Sequence, residues 1–264
     1  MAFIHRLAEA VELEFPKERA DSSWDNTGIL MEFYESEKES VLLCIDLTDS
    51  VLQEALDLGI ETVLAYHPPI FTPLKSITQE SPILCKCMNN KVSIYSPHTA
   101  LDGGNNGINN WLGMLIPGAE SISTTGYIQT FRNSCTIESI LQTLEKELGL
   151  NTIRYVLGNG HAEDTVPSVM SIGAGASTRN LKKLILETGK SSDEKPSIVI
   201  TGEASHHDML CFQRNGVSMI ILEHSRSERG FLQPLAAHLK TALPNAEVRI
   251  SEKDADPVRF YQKQ

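Results

Sequence analysis

Two segments of the chain share one grammar: an apolar run of strand length, a capped helix, and a second apolar run that ends on a histidine. In the first, Val41, Leu42, Leu43, Cys44 and Ile45 form a run short enough for a buried parallel strand. Asp49 or Ser50 can cap a helix reaching Leu58, and Gly59 stops it. The next run, residues 62–66, delivers His67, which Pro68 and Pro69 follow. In the second, residues 197–200 read as a strand, Ser205 starts a helix reaching Asn215 and Gly216, and residues 217–222 deliver His224. Alternating strand and helix signals confine such a chain to an α/β fold, with mainly parallel sheets and helices on their faces.

In open α/β sheets, ligands bind just beyond the carboxyl ends of strands. His98 and Asp102 follow the run at 92–95, and Glu228 comes one helical turn after His224. His67, His98, Asp102, His224 and Glu228 are thereby set to converge on one crevice. Imidazole plus carboxylate, without thiolate, is the ligand set of a hydrolytic Zn, Mn or Fe centre. Plainer readings stand beside this one. Ser225 and Glu228 fit an S-x-x-E capping box, which needs no metal. Asp102 and Gly103 are a common turn pair, and His98 or His224 can be hydrogen-bonded ends of strands and loops. His67 is harder to explain without a ligand, because its prolines hold it on a stiff loop.

The rest of the chain narrows the options. At 264 residues it suits two α/β lobes or one large domain, with a core that needs no disulfide or structural metal. Pro117, Gly118 and Gly126 mark an expected boundary, giving an N-terminal lobe at 1–125 and a C-terminal lobe at 126–264. Residues 135–148 read as a helix and 191–196 as a polar surface loop. The net charge of −11 argues against direct nucleic-acid binding. Five cysteines without repeated spacing look like reduced thiols, and the Cys85-Lys86-Cys87 pair lacks a second pair for structural zinc. No apolar run reaches membrane-spanning length, so the cytosol is the expected location, with the nucleus also open. His206 and His207 begin a helix about 100° apart, so they cannot easily share one ion. Gly173, Ala174 and Gly175 sit between strand and helix as in a dinucleotide fingerprint, but Thr178 replaces the third glycine. Neither a phosphate-binding G-x-x-x-x-G-K-[ST] loop nor a G-x-S-x-G elbow is present.

Five blocks in order, SWDNTG (23–28), AYHPPIF (65–71), YSPHTALD (95–102), TGEASHHD (201–208) and EHSRSERGF (223–231), resemble the NIF-three-like family. Its members also carry the name of GTP cyclohydrolase I type 2 homologues, and the length matches their compact form, without the inserted domain. The resemblance implies two intertwined α/β lobes with a dinuclear metal centre in the cleft between them. Its ligands would be His67, Asp102, His224 and Glu228, with His98 close by. Tyr66 stands where bacterial members commonly carry a further histidine ligand, which leaves one ion with fewer protein ligands. The implied protein is a metal-dependent hydrolase of unknown small-molecule substrate, holding up to two divalent ions (Zn, Mn or Fe) per chain. His98 would shuttle protons, and Arg226 and Arg229 would hold an anionic group. The resemblance also implies a ring-like homo-oligomer such as a hexamer. A competing expectation is a metal-binding regulatory protein that engages a protein partner, such as a transcription co-activator.

Overall fold

Apolar periodicity at the start of the chain becomes α1 (Phe3–Glu14), which buries Phe3, Ile4, Leu7, Ala8, Ala10 and Val11. The structure, a computed structural model, describes residues 2–33, 38–186 and 195–261. After α1 come β1 (Gly28–Met31), β2 (Ser40–Cys44), α2 (Asp49–Asp57), β3 (Thr62–Ala65), α3 (Pro82–Asn89) and β4 (Ser93–Ser96). A 3-10 turn, His98–Leu101, follows β4. The chain continues through α4 (Ile108–Met114), β5 (Glu120–Thr125), β6 (Ile128–Arg132), α5 (Ile137–Leu148) and β7 (Arg154–Val156). Then come β8 (Val169–Gly173), α6 (Thr178–Leu186), β9 (Ile198–Thr201), α7 (His206–Arg214), β10 (Ser218–Ile221) and the single turn α8 (Arg226–Arg229). It closes with α9 (Leu232–Ala242) and β11 (Glu247–Ile250).

These elements form two units. The first takes Met1–Leu101 and Phe231–Asp256; the second takes Asp102–Gly230 and Pro257–Gln264. In the first unit one sheet runs β1-β4-β3-β2-β11. All its pairings are parallel except β1 with β4. β2, β3 and β4 are buried on both faces, which is why their residues read as continuous apolar runs rather than as alternation. Leu42, Cys44, Val51, Leu52, Ala55, Val63, Ala65 and Ile94 pack as its core. Thr48, one residue earlier than expected, caps α2: its extended backbone lets Oγ1 accept from the Val51 N–H. Asp49 falls instead in the first turn, where the helix dipole favours a carboxylate.

The second unit carries a six-stranded sheet ordered β5-β6-β8-β9-β10-β7. Here only β8-β9 and β9-β10 are parallel. The parallel pattern holds where helices cross over, and fails at the β5-β6 hairpin, the β6-β8 pairing and the short edge strand β7. Gly126 serves the β5-β6 turn at φ +60°, a left-handed conformation that glycine adopts without penalty. α5 starts at a Thr136 cap and ends on left-handed Gly149, and buries Ile137, Ile140 and Leu144 against the sheet core. Of the expected polar loop at 191–196, residues 191–194 lie outside the described residues. Among the described residues no helix is long and apolar enough to cross a membrane.

Candidate metal centre

In the first unit both candidate histidines stand where parallel strands end. β3 runs into His67, whose N–H donates to the Ile45 carbonyl at 3.0 Å, beyond the end of β2. The His67 Nδ1 lies 2.9 Å from Asp46 Oδ1. An ionised carboxylate only accepts, so Nδ1 carries the proton shared with Asp46. Asp46 is itself fixed: the Asp254 carboxylate accepts the Ile45 N–H at 2.7 Å and the Asp46 N–H at 3.4 Å.

His98 is held the same way. Its Nδ1 is 2.6 Å from Asp25 Oδ1, and the Asp25 side chain is 1% exposed. The other Asp25 oxygen accepts from the Thr99 N–H at 3.2 Å and from the Thr99 hydroxyl. Burial pushes the Asp25 carboxyl up, but the bonds from His98 and Thr99 outweigh it and hold it below the usual carboxylate range. The backbone of His98 lies at φ +35°, a strained value for a residue with a side chain. The His67 and His98 rings meet edge to face with centroids 5.6 Å apart. Tyr66 is buried; its ring packs on His67 at 4.8 Å and on His98 at 5.5 Å. Its phenol thus packs against the two histidines.

In the second unit, β10 leads to Glu223 and His224. Glu223 sits at φ +67°, and Arg154 Nε donates to its carboxylate at 2.7 Å. Among the described residues only Lys91, His98 and Glu223 are non-glycine residues at positive φ, so two of the three flank or form the candidate site. His224 Nδ1 is 3.2 Å from Glu203 Oε2, and its Nε2 faces Glu228 Oε1 at 3.5 Å. The His224 and Glu228 pair offers an imidazole and a carboxylate able to hold a metal ion. The Glu228 side chain is 3% exposed, yet the capping box is not formed: the α8 N-cap, Ser225, makes no side-chain capping bond. Its hydroxyl accepts instead from Arg229 at 3.2 Å.

What seats this pair is Gly175. Its φ is +59°, and a Cβ there would overlap Glu228 Oε1 and come within 3.1 Å of His224 Nε2. The Gly175 N–H donates to Ser227 Oγ at 2.9 Å, and Ser227 Oγ donates to the His224 carbonyl at 2.6 Å. The Gly175 carbonyl accepts from the Gly202 and Glu203 N–H groups, each at 3.1 Å. Gly175 is therefore a packing device for His224 and Glu228, whereas Gly173 makes room for Ile128 and Ser177. Asp102 is buried in the turn that follows His98–Leu101. Arg226 stacks over the Phe260 ring at 4.7 Å and donates to the Val258 carbonyl, so the chain's own tail engages the guanidinium. His206 and His207 begin α7 with ring centroids 5.6 Å apart.

Sequence reasoning missed Asp46, Glu203 and Asp254. Asp46 and Glu203 carry the same strand-end signal as the histidines, lying just past β2 and β9. Nothing in the sequence marks Asp254, because its role depends on the return of the chain after β11 to the first unit.

The family model of Duf34/NIF3 (NGG1p interacting factor 3) matches residues 2–257. The chain belongs to this family. It is 34% identical to NIF3-like protein 1 of Drosophila melanogaster, over 89% of this chain and 82% of that one. It is 30% identical to NGG1-interacting factor 3 of Saccharomyces cerevisiae, over 97% and 96% respectively. In fold it is similar to a hypothetical protein of Staphylococcus aureus, with a TM-score of 0.81, 20% identity, and 98% and 99% of the two chains covered. It is likewise similar to reduced HcgD of Methanocaldococcus jannaschii, with a TM-score of 0.79, 21% identity, and 94% and 97% covered.

Proposed function

We propose that this protein is a metal-dependent hydrolase whose divalent ions are held by His67, Asp102, His224 and Glu228. One observation carries the reading. In His67 and in His224, Nδ1 faces a carboxylate. Metal-ligating histidines almost always show this arrangement, because the carboxylate fixes the tautomer and makes the ring a better donor. Two imidazoles with a carboxylate would suit one ion. Two ions would need Asp102 and Glu228 to be shared, and Tyr66 supplies no imidazole for the second. When bound there, Zn, Mn or Fe supplies a Lewis acid and a water of lowered pKa.

The chain's own residues would do the remaining work. Asp25 fixes His98 through Nδ1, so proton transfer falls to His98 Nε2. The buried Asp25 carboxylate holds the imidazole in the orientation from which Nε2 exchanges that proton. A homo-oligomer such as a hexamer belongs to the same proposal. So does a protein partner, in keeping with the yeast relative's name as an interacting factor.

The test is metal content and turnover together. His224→Ala and Glu228→Gln should each lower bound metal at least tenfold while leaving the fold intact. Both variants keeping the wild-type metal content would remove the site. Metal-replete protein should also turn over at least one member of a panel of nucleotides, phosphoesters and cyclic amides, and Glu228→Gln should lose that turnover. Metal bound without turnover on any of them would favour a binding role.

A further inference from the structure

Two large aromatic side chains of the first unit stay open to solvent beside His98. Trp24 is 44% exposed and Phe71 is 49% exposed. They come from different loops, one ahead of β1 and the other after β3, yet their ring centroids are 5.8 Å apart with a 42° tilt. Each also meets His98 edge to face, at 5.8 Å for Trp24 and 6.2 Å for Phe71. A scattered exposed apolar residue needs no explanation; two converging aromatics at the rim of a polar site do.

Both loops are fixed in advance. The Trp24 backbone N–H donates to the Asp21 carbonyl at 3.2 Å, and the Asp21 carboxylate accepts from the Ser23 hydroxyl at 2.5 Å. The Asp21 N–H donates to Thr99 Oγ1 at 3.1 Å, tying this turn to the residue after His98. Asn26 Nδ2 donates to the Ile70 carbonyl at 2.5 Å, which locks the Trp24 loop to the Phe71 loop. Holding exposed rings in place removes the entropy that a ligand would otherwise have to overcome.

We propose that Trp24 and Phe71 form a stacking rim that takes a planar, uncharged or cationic heteroaromatic ring and presents it to His98. The inference rests on the reading of His98 as the proton-transfer group. Planar rings stack on aromatic faces whatever their edge pattern, and the negative face of each π system favours neutral or positive rings. A net charge of −11 works against a polyphosphate at the same place.

The chain has two tryptophans, so Trp111→Phe leaves Trp24 as the sole tryptophan, read by selective tryptophan excitation. In that protein, loaded with metal, adenine should quench the emission saturably, cyclohexanecarboxamide should not, and ATP should bind more weakly than adenine. Phe71→Leu keeps the apolar bulk and loses the π face, so it should weaken adenine binding about tenfold while metal content stays unchanged. Quenching that does not saturate, that the saturated ring reproduces, or that Phe71→Leu leaves intact overturns the rim. So does a Trp24→Ser/Phe71→Ser protein that sediments as a smaller species than wild type, since a second copy would then be what covers the rings. The metal reading fails separately: metal retained in His224→Ala removes that centre and leaves the adenine titration standing.

Discussion

The two units fix their histidines by different means. In the first, His67 and His98 are each held through Nδ1 by an aspartate; the Asp254 carboxylate holds the backbone at Asp46, and Thr99 donates to Asp25. In the second, the Glu203 carboxylate paired with His224 is 54% exposed, and the ring is seated mainly by close packing on Gly175. The first arrangement is electrostatic: it depends on carboxylate charge and responds to pH. The second is steric, and depends on a side chain that is absent. Substitutions that test charge and substitutions that test space should therefore act on opposite units.

Gly175→Ala should have the largest effect. The new methyl group overlaps Glu228 Oε1, and the residue must hold φ +59° with a side chain. We expect about 1–3 kcal/mol of lost stability and about 100-fold weaker metal binding, read by thermal melts and by competition with a chelating dye. Wild-type metal affinity in this variant would show that packing does not seat the pair.

Asp25→Asn tests the electrostatic side. It removes a nearly fully buried carboxylate that accepts from His98 and Thr99, at a cost of about 1–3 kcal/mol at neutral pH. The folded pKa of Asp25 is depressed, so its contribution is complete above about 3.9, the unfolded value, and is lost as pH falls through the folded value. Urea melts of wild type and variant should therefore converge under acid and diverge above about pH 4. A constant gap across pH would mean that shape, not charge, is what Asp25 contributes.

Much of this comparison was legible in the sequence, and for a physical reason. The histidines follow apolar runs, and a run of strand length flanked by helix signals is read locally. His67, His98 and His224 therefore sit at strand ends as expected, and the His67–His98 contact follows from β3 and β4 being neighbours. Carboxylates were legible only where they shared a motif with a histidine. Asp25 lies in the SWDNTG block, but its link to His98 spans 73 positions. Gly175 was visible as a strand-to-helix glycine, but glycines of that kind signal close approach without saying what approaches. The capping-box reading of Glu228 shows the converse limit, because a correct local pattern yields to the tertiary partner of the carboxylate.

Glu203→Gln is expected to act more mildly than Asp25→Asn. Glu203 is half exposed and its bond to His224 is long at 3.2 Å, so solvent screens the pair. Metal affinity should fall by about tenfold, the low end for partners of ligating histidines, with stability nearly unchanged. A drop as large as that of Gly175→Ala would mean that charge governs the second unit too, and the contrast between the units would collapse.

The smallest effect should come from Glu54→Gln, which probes how far the acidic scaffold of the first unit extends. The Glu54 carboxylate accepts from the Ser251 hydroxyl, from the Glu252 N–H at 2.8 Å and from the Lys253 N–H at 3.3 Å. It thereby holds the segment that carries Asp254 to the Ile45 and Asp46 N–H groups. Burial raises its pKa, but the bonds from Ser251, Glu252 and Lys253 together outweigh it and lower it. Its contribution is therefore present above the usual glutamate value and lost as pH falls through the lower folded value. Because the group is only partly buried, screening limits that contribution to about 0.5 kcal/mol or less. A melt would barely register the change, so the measurement is amide hydrogen exchange at Glu252 and Lys253. At neutral pH these amides should exchange about twofold faster in Glu54→Gln, and the difference should vanish near pH 3. Equal exchange at neutral pH would place the end of the scaffold at Asp254, so that the contrast between the units concerns the immediate partners of the histidines alone.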